Sequence, residues 1–183
     1  MLVVAILVKK SSPGPIFFAQ ERIGLGNKPF KMYKFRSMCK DAERDGPRWA
    51  DADDARCTRF GAFLRRTRLD ELPQIWNILK GDMTVVGPRP EMLENVEKYT
   101  DALPEFEYRL RVKAGLTGLA QISGKYNTSP KDKLVMDLIY IENYSIWQDL
   151  KLIFQTFTVF LKASESTEAF GVEEVFDFDE DRE

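Results

Sequence analysis

The chain of 183 residues contains no histidine. That absence removes imidazole acid–base chemistry, Ser-His catalytic arrangements and His-ligated metals, so any nucleophile, acid, base or metal ligand must be Asp, Glu, Lys, Tyr, Ser or Cys. Cysteine is nearly absent as well. Cys39 and Cys57 are the only two, a count that argues against a disulfide-built secreted fold and suits a reducing compartment in which both are inert thiols. No apolar run is long enough to cross a bilayer. Leu2–Val8 would rise only about 10 Å as a helix against a hydrocarbon core of about 30 Å, and Leu152–Leu161 is short and interrupted by polar residues. Lys9 and Lys10 follow the first run instead of preceding it, the reverse of a cleavable signal peptide, so residues 1–12 read as the end of a longer membrane element. The glycine-bearing stretch Val112–Gly124 matches neither G-x-G-x-x-G nor a Walker A loop, and no internal repeat is visible.

What is present is enough apolar residue, 44% with 12% aromatic, for one sizeable core and not for two ordinary domains. The formal charge of -2 conceals an asymmetry. Residues 173–183 hold seven acids against Arg182, which leaves residues 1–172 at a net +4. A basic body suits phosphates, nucleic acid or lipid headgroups, while the acidic end, 166–183, reads as a solvated tail.

Turn residues and periodicity outline the elements. Pro13-Gly14-Pro15 ends the first apolar segment, and strands over Ile16–Ile23 and Phe30–Met38 flank Gly24-Leu25-Gly26-Asn27 as a β-hairpin. Alternation along the second strand would put Lys34 and Arg36 on one side, a pair of neighbouring cations or simply a solvated face. Residues 40–56 are a polar loop with Trp49 as its one anchor. A helix follows from Thr58, and because Pro73 must sit in a first turn, a second helix is expected from near Asp70 to Gly81. Then come a short strand at Met83–Val86, the stiff loop Gly87-Pro88-Arg89-Pro90, helices near 91–99 and 104–112, a loop through Gly115, Gly118 and Gly124, and a long helical region from Lys131 to Lys162. The apolar stretch within that last region is expected to pack on the core first and to lie in a membrane interface second.

Asp70 and Glu71 stand at an expected helix start, which is also what an ordinary acidic first turn looks like. Arg56, Arg59, Arg65, Arg66 and Arg68 precede them without an intervening acid, so both carboxylates are expected to remain ionised and able to attack phosphorus or ligate Mg²⁺. Those arginines equally suit a solvated face or a patch on anionic lipid. Arg89, between two prolines, is a guanidinium on fixed backbone, suited to bidentate phosphate contact.

Taken together, Ser12-Pro13-Gly14-Pro15, Tyr33-Lys34-Phe35-Arg36-Ser37-Met38, Leu69-Asp70-Glu71-Leu72-Pro73-Gln74, Gly81-Asp82-Met83, Val86-Gly87-Pro88-Arg89-Pro90 and Gly115-Leu116-Thr117-Gly118 resemble, in order and spacing, the bacterial sugar transferases, also called monotopic phosphoglycosyl transferases. The resemblance covers roughly residues 10–162. It implies a Mg²⁺-dependent transfer in two steps. Asp70 attacks the β-phosphorus of a UDP-sugar, UMP leaves, and the sugar phosphate passes from Asp70 to a polyprenol phosphate, usually undecaprenyl phosphate. By the same match Asp70 and Glu71 hold the metal, Lys34, Arg36 and Arg89 hold phosphate or uridine groups, and Asp137 lies near the site. The implied setting is the cytosolic face of the bacterial inner membrane, with the lipid surface as a partner, no nucleic acid, and a homo-oligomer left open. The implied fold is α/β of the α+β kind. A small β-hairpin region is surrounded by helices, some amphipathic and lying on the membrane, with a catalytic domain over residues 13–165 behind the end of a re-entrant helix. Ala114 stands where relatives often carry proline and Lys125 where they often carry arginine, and so short an N-terminal segment is expected to hold lipid poorly. Lys125-Tyr126-Asn127-Thr128 and Tyr140-Ile141-Glu142-Asn143-Tyr144-Ser145 resemble enzymes that start capsule or exopolysaccharide units, with the sugar left open. Two other readings compete: a non-enzymatic basic module on anionic membrane or nucleic acid, and a metal-dependent hydrolase of nucleotide sugars that uses water as acceptor.

Overall fold

Alternation of large apolar and polar side chains on either side of a tight turn gives the first structural unit. In the computed structural model, strands β1 (Phe17–Ile23) and β2 (Pro29–Phe35) pair antiparallel, in a register that sets Phe17 opposite Phe35 and Ile23 opposite Pro29. Residues 1–40, 42, 54–124 and 128–161 are described; Trp49, Lys125, Tyr126, Asn127 and the acidic tail lie outside them. A short 3₁₀ turn, Leu25–Asn27, joins the strands. The architecture mixes helix and strand, as expected.

Helix α1 (Leu2–Ser11) precedes the hairpin and ends where Ser12 turns extended before Pro13. Its Val8 is fully buried against Phe35 of β2 and Leu64 of α2 (Arg59–Arg66), while Leu2, Val3, Ile6 and Leu7 are exposed. Thr58 starts α2 by accepting from the Gly61 amide at 2.9 Å, an N-cap made by a hydroxyl.

The chain then departs from expectation. A helix does not begin near Asp70. Leu69–Glu71 form a single 3₁₀ turn, and α3 (Gln74–Lys80) starts only after Pro73, whose lack of an amide hydrogen suits a position with no intrahelical acceptor. Gly81 stops α3 at φ 85°, a left-handed conformation that glycine adopts without a Cβ penalty.

The glycine segment taken for a loop contains a strand. β4 (Ala114–Thr117) runs parallel to β3 (Met83–Val86), and α5 (Leu119–Ser123) follows it. Four residues with a glycine give too little periodicity to show as a strand. The pairing depends on that glycine, because a Cβ on Gly115 would lie 2.1 Å from the Gly87 nitrogen. The expected helical region at the C-terminal end is made of two helices, α6 (Pro130–Glu142) and α7 (Ile146–Leu161). Asn143 donates to the Ile139 carbonyl at 2.8 Å to close α6, and Ser145 accepts from the Gln148 amide at 3.2 Å to open α7.

Three apolar clusters hold these elements. Val8, Phe35 and Leu64 form one; Ile23, Val96 of α4 (Leu93–Ala102), Phe106 and Leu134 form the second; Val86, Tyr140 and Leu152 form the third. Leu152 therefore packs on the core as expected, yet Ile146, Trp147, Leu150, Phe154 and Phe157 of the same helix are exposed. Among the described residues no helix is long and apolar enough to cross a membrane.

Asn77, fully buried on α3, ties that helix to the hairpin. It accepts from the Tyr33 amide at 3.1 Å and donates to the Lys31 carbonyl at 2.7 Å and to Asp82 at 3.2 Å. Asn77→Ala removes both partners of the β2 backbone, and we expect a loss of roughly 2 kcal/mol, read as a lower urea midpoint with unchanged slope.

Candidate functional site

The expected site residues do not all converge, and the reason lies in where β2 ends. Within the strand, Lys34 points across the hairpin to the 3₁₀ turn, and its ammonium lies 3.0 Å from Glu71 Oε1. The strand stops at Phe35, one residue before alternation could carry Arg36 to the same side. Arg36 instead donates to the carbonyls of Val8, Ser12 and Pro13 at 3.3, 2.7 and 3.1 Å, which satisfies the backbone where α1 ends. Neither expectation for the pair, neighbouring cations or a solvated face, holds at Arg36, which is buried against these carbonyls.

Two further cations reach Glu71 from other segments. Arg89 Nη2 lies 3.1 Å from the same Oε1, and Arg68 Nη1 lies 4.0 Å from it. Arg68 precedes the turn at φ 56°, a left-handed conformation that costs an L-residue about 1 kcal/mol. The Arg65 carbonyl accepts from the Arg68 amide, and the Arg68 carbonyl accepts from the Glu71 amide, both at 3.1 Å. That bend brings Asp70 and Glu71 inward, where they are 7% and 8% exposed.

The two adjacent carboxylates are electrostatically unlike. Burial alone would push Glu71 up, but Lys34, Arg89 and Arg68 overcome it and hold the group well below the usual carboxylate range. Burial dominates at Asp70 and pushes it up from 3.8, opposed by Lys34, Arg68 and Arg65 and reinforced by the Glu71 charge. The cations therefore prevail over burial at Glu71, while at Asp70 burial prevails over them in the direction of the shift. Burial likewise lowers the Lys34 ammonium despite Glu71 beside it.

Asp137, expected near the site, is placed behind it. It is 2% exposed on α6 and pairs at 2.7 Å with Arg109, which in turn donates to the Arg89 carbonyl at 2.9 Å. Arg109 is a residue that sequence reasoning missed, because Tyr108-Arg109-Leu110-Arg111 looks like any solvated, mixed face. Asn77 was missed for the same reason, since a polar residue inside a helix carries no sign of burial.

The donor set fits a hard divalent cation. Among the described residues no group of three metal-ligating side chains is present, but Mg²⁺ is commonly held by one or two carboxylates with substrate phosphates and water completing its shell. Asp70 Oδ1 is buried with no hydrogen-bond partner, next to a second carboxylate. A cation would satisfy that oxygen.

Comparison with known proteins gives the family of the chain. The model of the family described as bacterial sugar transferase matches residues 1–163. The chain is similar, at 43% identity over 88% of its length, to a UDP-N-acetylgalactosamine-undecaprenyl-phosphate N-acetylgalactosaminephosphotransferase of Aeromonas hydrophila. It is similar at 45% identity over 85% of its length to a UDP-glucose:undecaprenyl-phosphate glucose-1-phosphate transferase of Xanthomonas campestris pv. campestris, and at 43% over 81% to the galactosyl transferase CpsE of Streptococcus agalactiae. It spans 39%, 34% and 35% of those three proteins' own lengths. By the extent of the family match and by these identities, the chain belongs to the bacterial sugar transferase family.

Proposed function

We propose that this chain carries the catalytic site of a phosphoglycosyl transferase that moves a sugar 1-phosphate from a UDP-sugar to undecaprenyl phosphate, starting a capsule or exopolysaccharide unit. The observation that carries the reading is the unlike pair of carboxylates: Glu71, whose Oε1 meets Lys34, Arg89 and Arg68, and Asp70 beside it with an unpartnered buried oxygen. The relatives' names supply the donor and acceptor classes.

In the first step an Asp70 carboxylate oxygen forms a bond to the β-phosphorus. The bond from that phosphorus to the bridging oxygen breaks, and its electron pair leaves with UMP. In the second step a phosphate oxygen of the polyprenol phosphate attacks the same phosphorus, and the Asp70 carboxylate leaves. Each step brings anions together, so Lys34, Arg68 and Arg89 stabilise charge in both, at up to about 3 kcal/mol for a well-placed group. Asp70 and Glu71 would hold Mg²⁺, which when bound neutralises the diphosphate as its bond breaks. Splitting the transfer removes the need for both substrates to bind at once.

The exposed apolar residues of α1 and α7 suit contact with lipid, and we place the site at the cytosolic face of the bacterial inner membrane. In this reading residues 13–165 form the catalytic body. The bend at Ser12-Pro13, held by Arg36, suits the break of a re-entrant helix in this reading.

Two outcomes test the mechanism. With a panel of UDP-sugars, Mg²⁺ and undecaprenyl phosphate in detergent, UMP release should fall more than about a thousandfold in Asp70→Asn. Without lipid the wild type should release about one equivalent of UMP and stop, whereas continued turnover on water would replace this reading with a hydrolase. The second concerns pH. Asp70 must be ionised to attack and burial raises its pKa, so the rate of the first UMP burst should climb with pH through a value above 3.8. Lys34→Met removes a cation that lowers that pKa and should move the climb to higher pH; a climb that stays in place would exclude Asp70 as the titrating group.

A further inference from the structure

The loop that carries Arg89 is built almost entirely of acceptors, since Pro88 and Pro90 have no amide hydrogen to donate. Its carbonyls are taken up one by one. Pro88 O accepts from the Gly115 amide at 2.9 Å, Arg89 O from the Arg109 guanidinium at 2.9 Å, Pro90 O from the Arg22 guanidinium at 3.4 Å, and Glu91 O from the Ile23 amide at 2.9 Å. Three of these donors are on β4 and β1. Arg109 comes instead from the 3₁₀ segment Pro104–Arg111, and its own placement is elaborate. It is 6% exposed, stands 4.7 Å above the Phe106 ring, pairs with Asp137 at 2.7 Å and approaches Glu91 at 3.9 Å.

A buried ion pair adds little stability over a well-packed apolar pair, because desolvation cancels most of the attraction. What this one achieves is local: a rigid, charge-assisted donor fixed on the backbone oxygen of Arg89, with Asp137 supplying the counter-charge that lets the guanidinium stay buried. Asp137 is 2% exposed with Arg109 between it and the loop, so it cannot reach a bound substrate directly.

We infer that Arg109 and Asp137 are positioning residues that set the Arg89 guanidinium for phosphate by holding the Arg89 carbonyl from behind. The inference rests on the reading of Arg89 as a phosphate-holding cation. It predicts that neither residue contributes to donor binding except through Arg89.

The test is a coupled comparison, with UDP in the presence of Mg²⁺ as the probe and its affinity measured by calorimetry. In the otherwise unaltered chain, Arg109→Lys and Asp137→Asn should each weaken UDP by about tenfold, the scale of a misplaced binding group. In an Arg89→Ala background the same changes should cost less than about twofold, because the group they position is gone. Arg109→Lys keeps a cation against Asp137 but replaces the longer, planar guanidinium whose Nη2 meets both Asp137 and the Arg89 carbonyl, so it carries the comparison alone should Asp137→Asn fail to fold. Equal losses with and without Arg89, as a direct contact or a general loosening would give, overturn the inference. So does an unchanged affinity in both single variants while Arg89→Ala alone weakens UDP. An Arg89→Ala chain that binds UDP normally overturns instead the phosphate role of Arg89, and the positioning inference with it.

Discussion

One oxygen, Glu71 Oε1, is where the structure is drawn together. Lys34 reaches it from the hairpin, Arg89 from the loop after β3, and Arg68 from the bend after α2. These segments come from separate parts of the fold, and the carboxylate is the charged group on which they meet. Removing it would leave three cations facing one another around a buried centre, whereas removing one cation leaves two to compensate. This asymmetry makes Glu71 an organiser of charge before any substrate arrives.

The scaffold exists to keep those three sources in register. The hairpin is fixed to α3 by Asn77, the Arg89 loop is fixed to β4 and β1 through its carbonyls, and Arg36 fixes the end of α1 one residue beyond the strand that carries Lys34. Movement of α1 would therefore be felt at the strand that presents Lys34. The three relatives, named for N-acetylgalactosamine, glucose and galactose transfer, match this chain at 43%, 45% and 43% identity. Charged groups aimed at phosphate recognise what such donors have in common. Discrimination among sugars depends on neutral hydrogen-bonding groups, which bulk identity does not report.

Much of this was legible in the sequence, and the exceptions share a cause. The hairpin, α2, the strand at Met83–Val86 and the Gly81 stop followed from turn chemistry and periodicity, because each is specified by neighbouring residues, whereas the grouping of Lys34, Asp70, Glu71 and Arg89 was implied by the family resemblance. Arg36 was misplaced because alternation holds only while a strand lasts, and the residue at which β2 ends is set by packing of Phe35 on Val8 and Leu64. β4 was missed because Gly115, which makes its approach to Gly87 sterically feasible, also erases the period-2 signal. Asp137 is joined to the Arg89 loop through Arg109, a partner that a lone acid on a helix does not disclose.

In the proposed mechanism one of two adjacent carboxylates attacks, and residue type and spacing by themselves do not say which. Their environments separate them. A carboxylate held far below its ordinary range by three cations is a poor nucleophile, because its charge is already shared among donors that must be displaced before it can approach phosphorus. A carboxylate whose pKa burial has raised is more basic, holds an oxygen free of hydrogen bonds, and sits in the field of the same cations that would receive the substrate phosphates. Glu71 is thus suited to holding the cations, and the metal through its second oxygen, while Asp70 is suited to attack. Burial and charge thus support the division of roles in the proposed mechanism, which is the one the family resemblance implies.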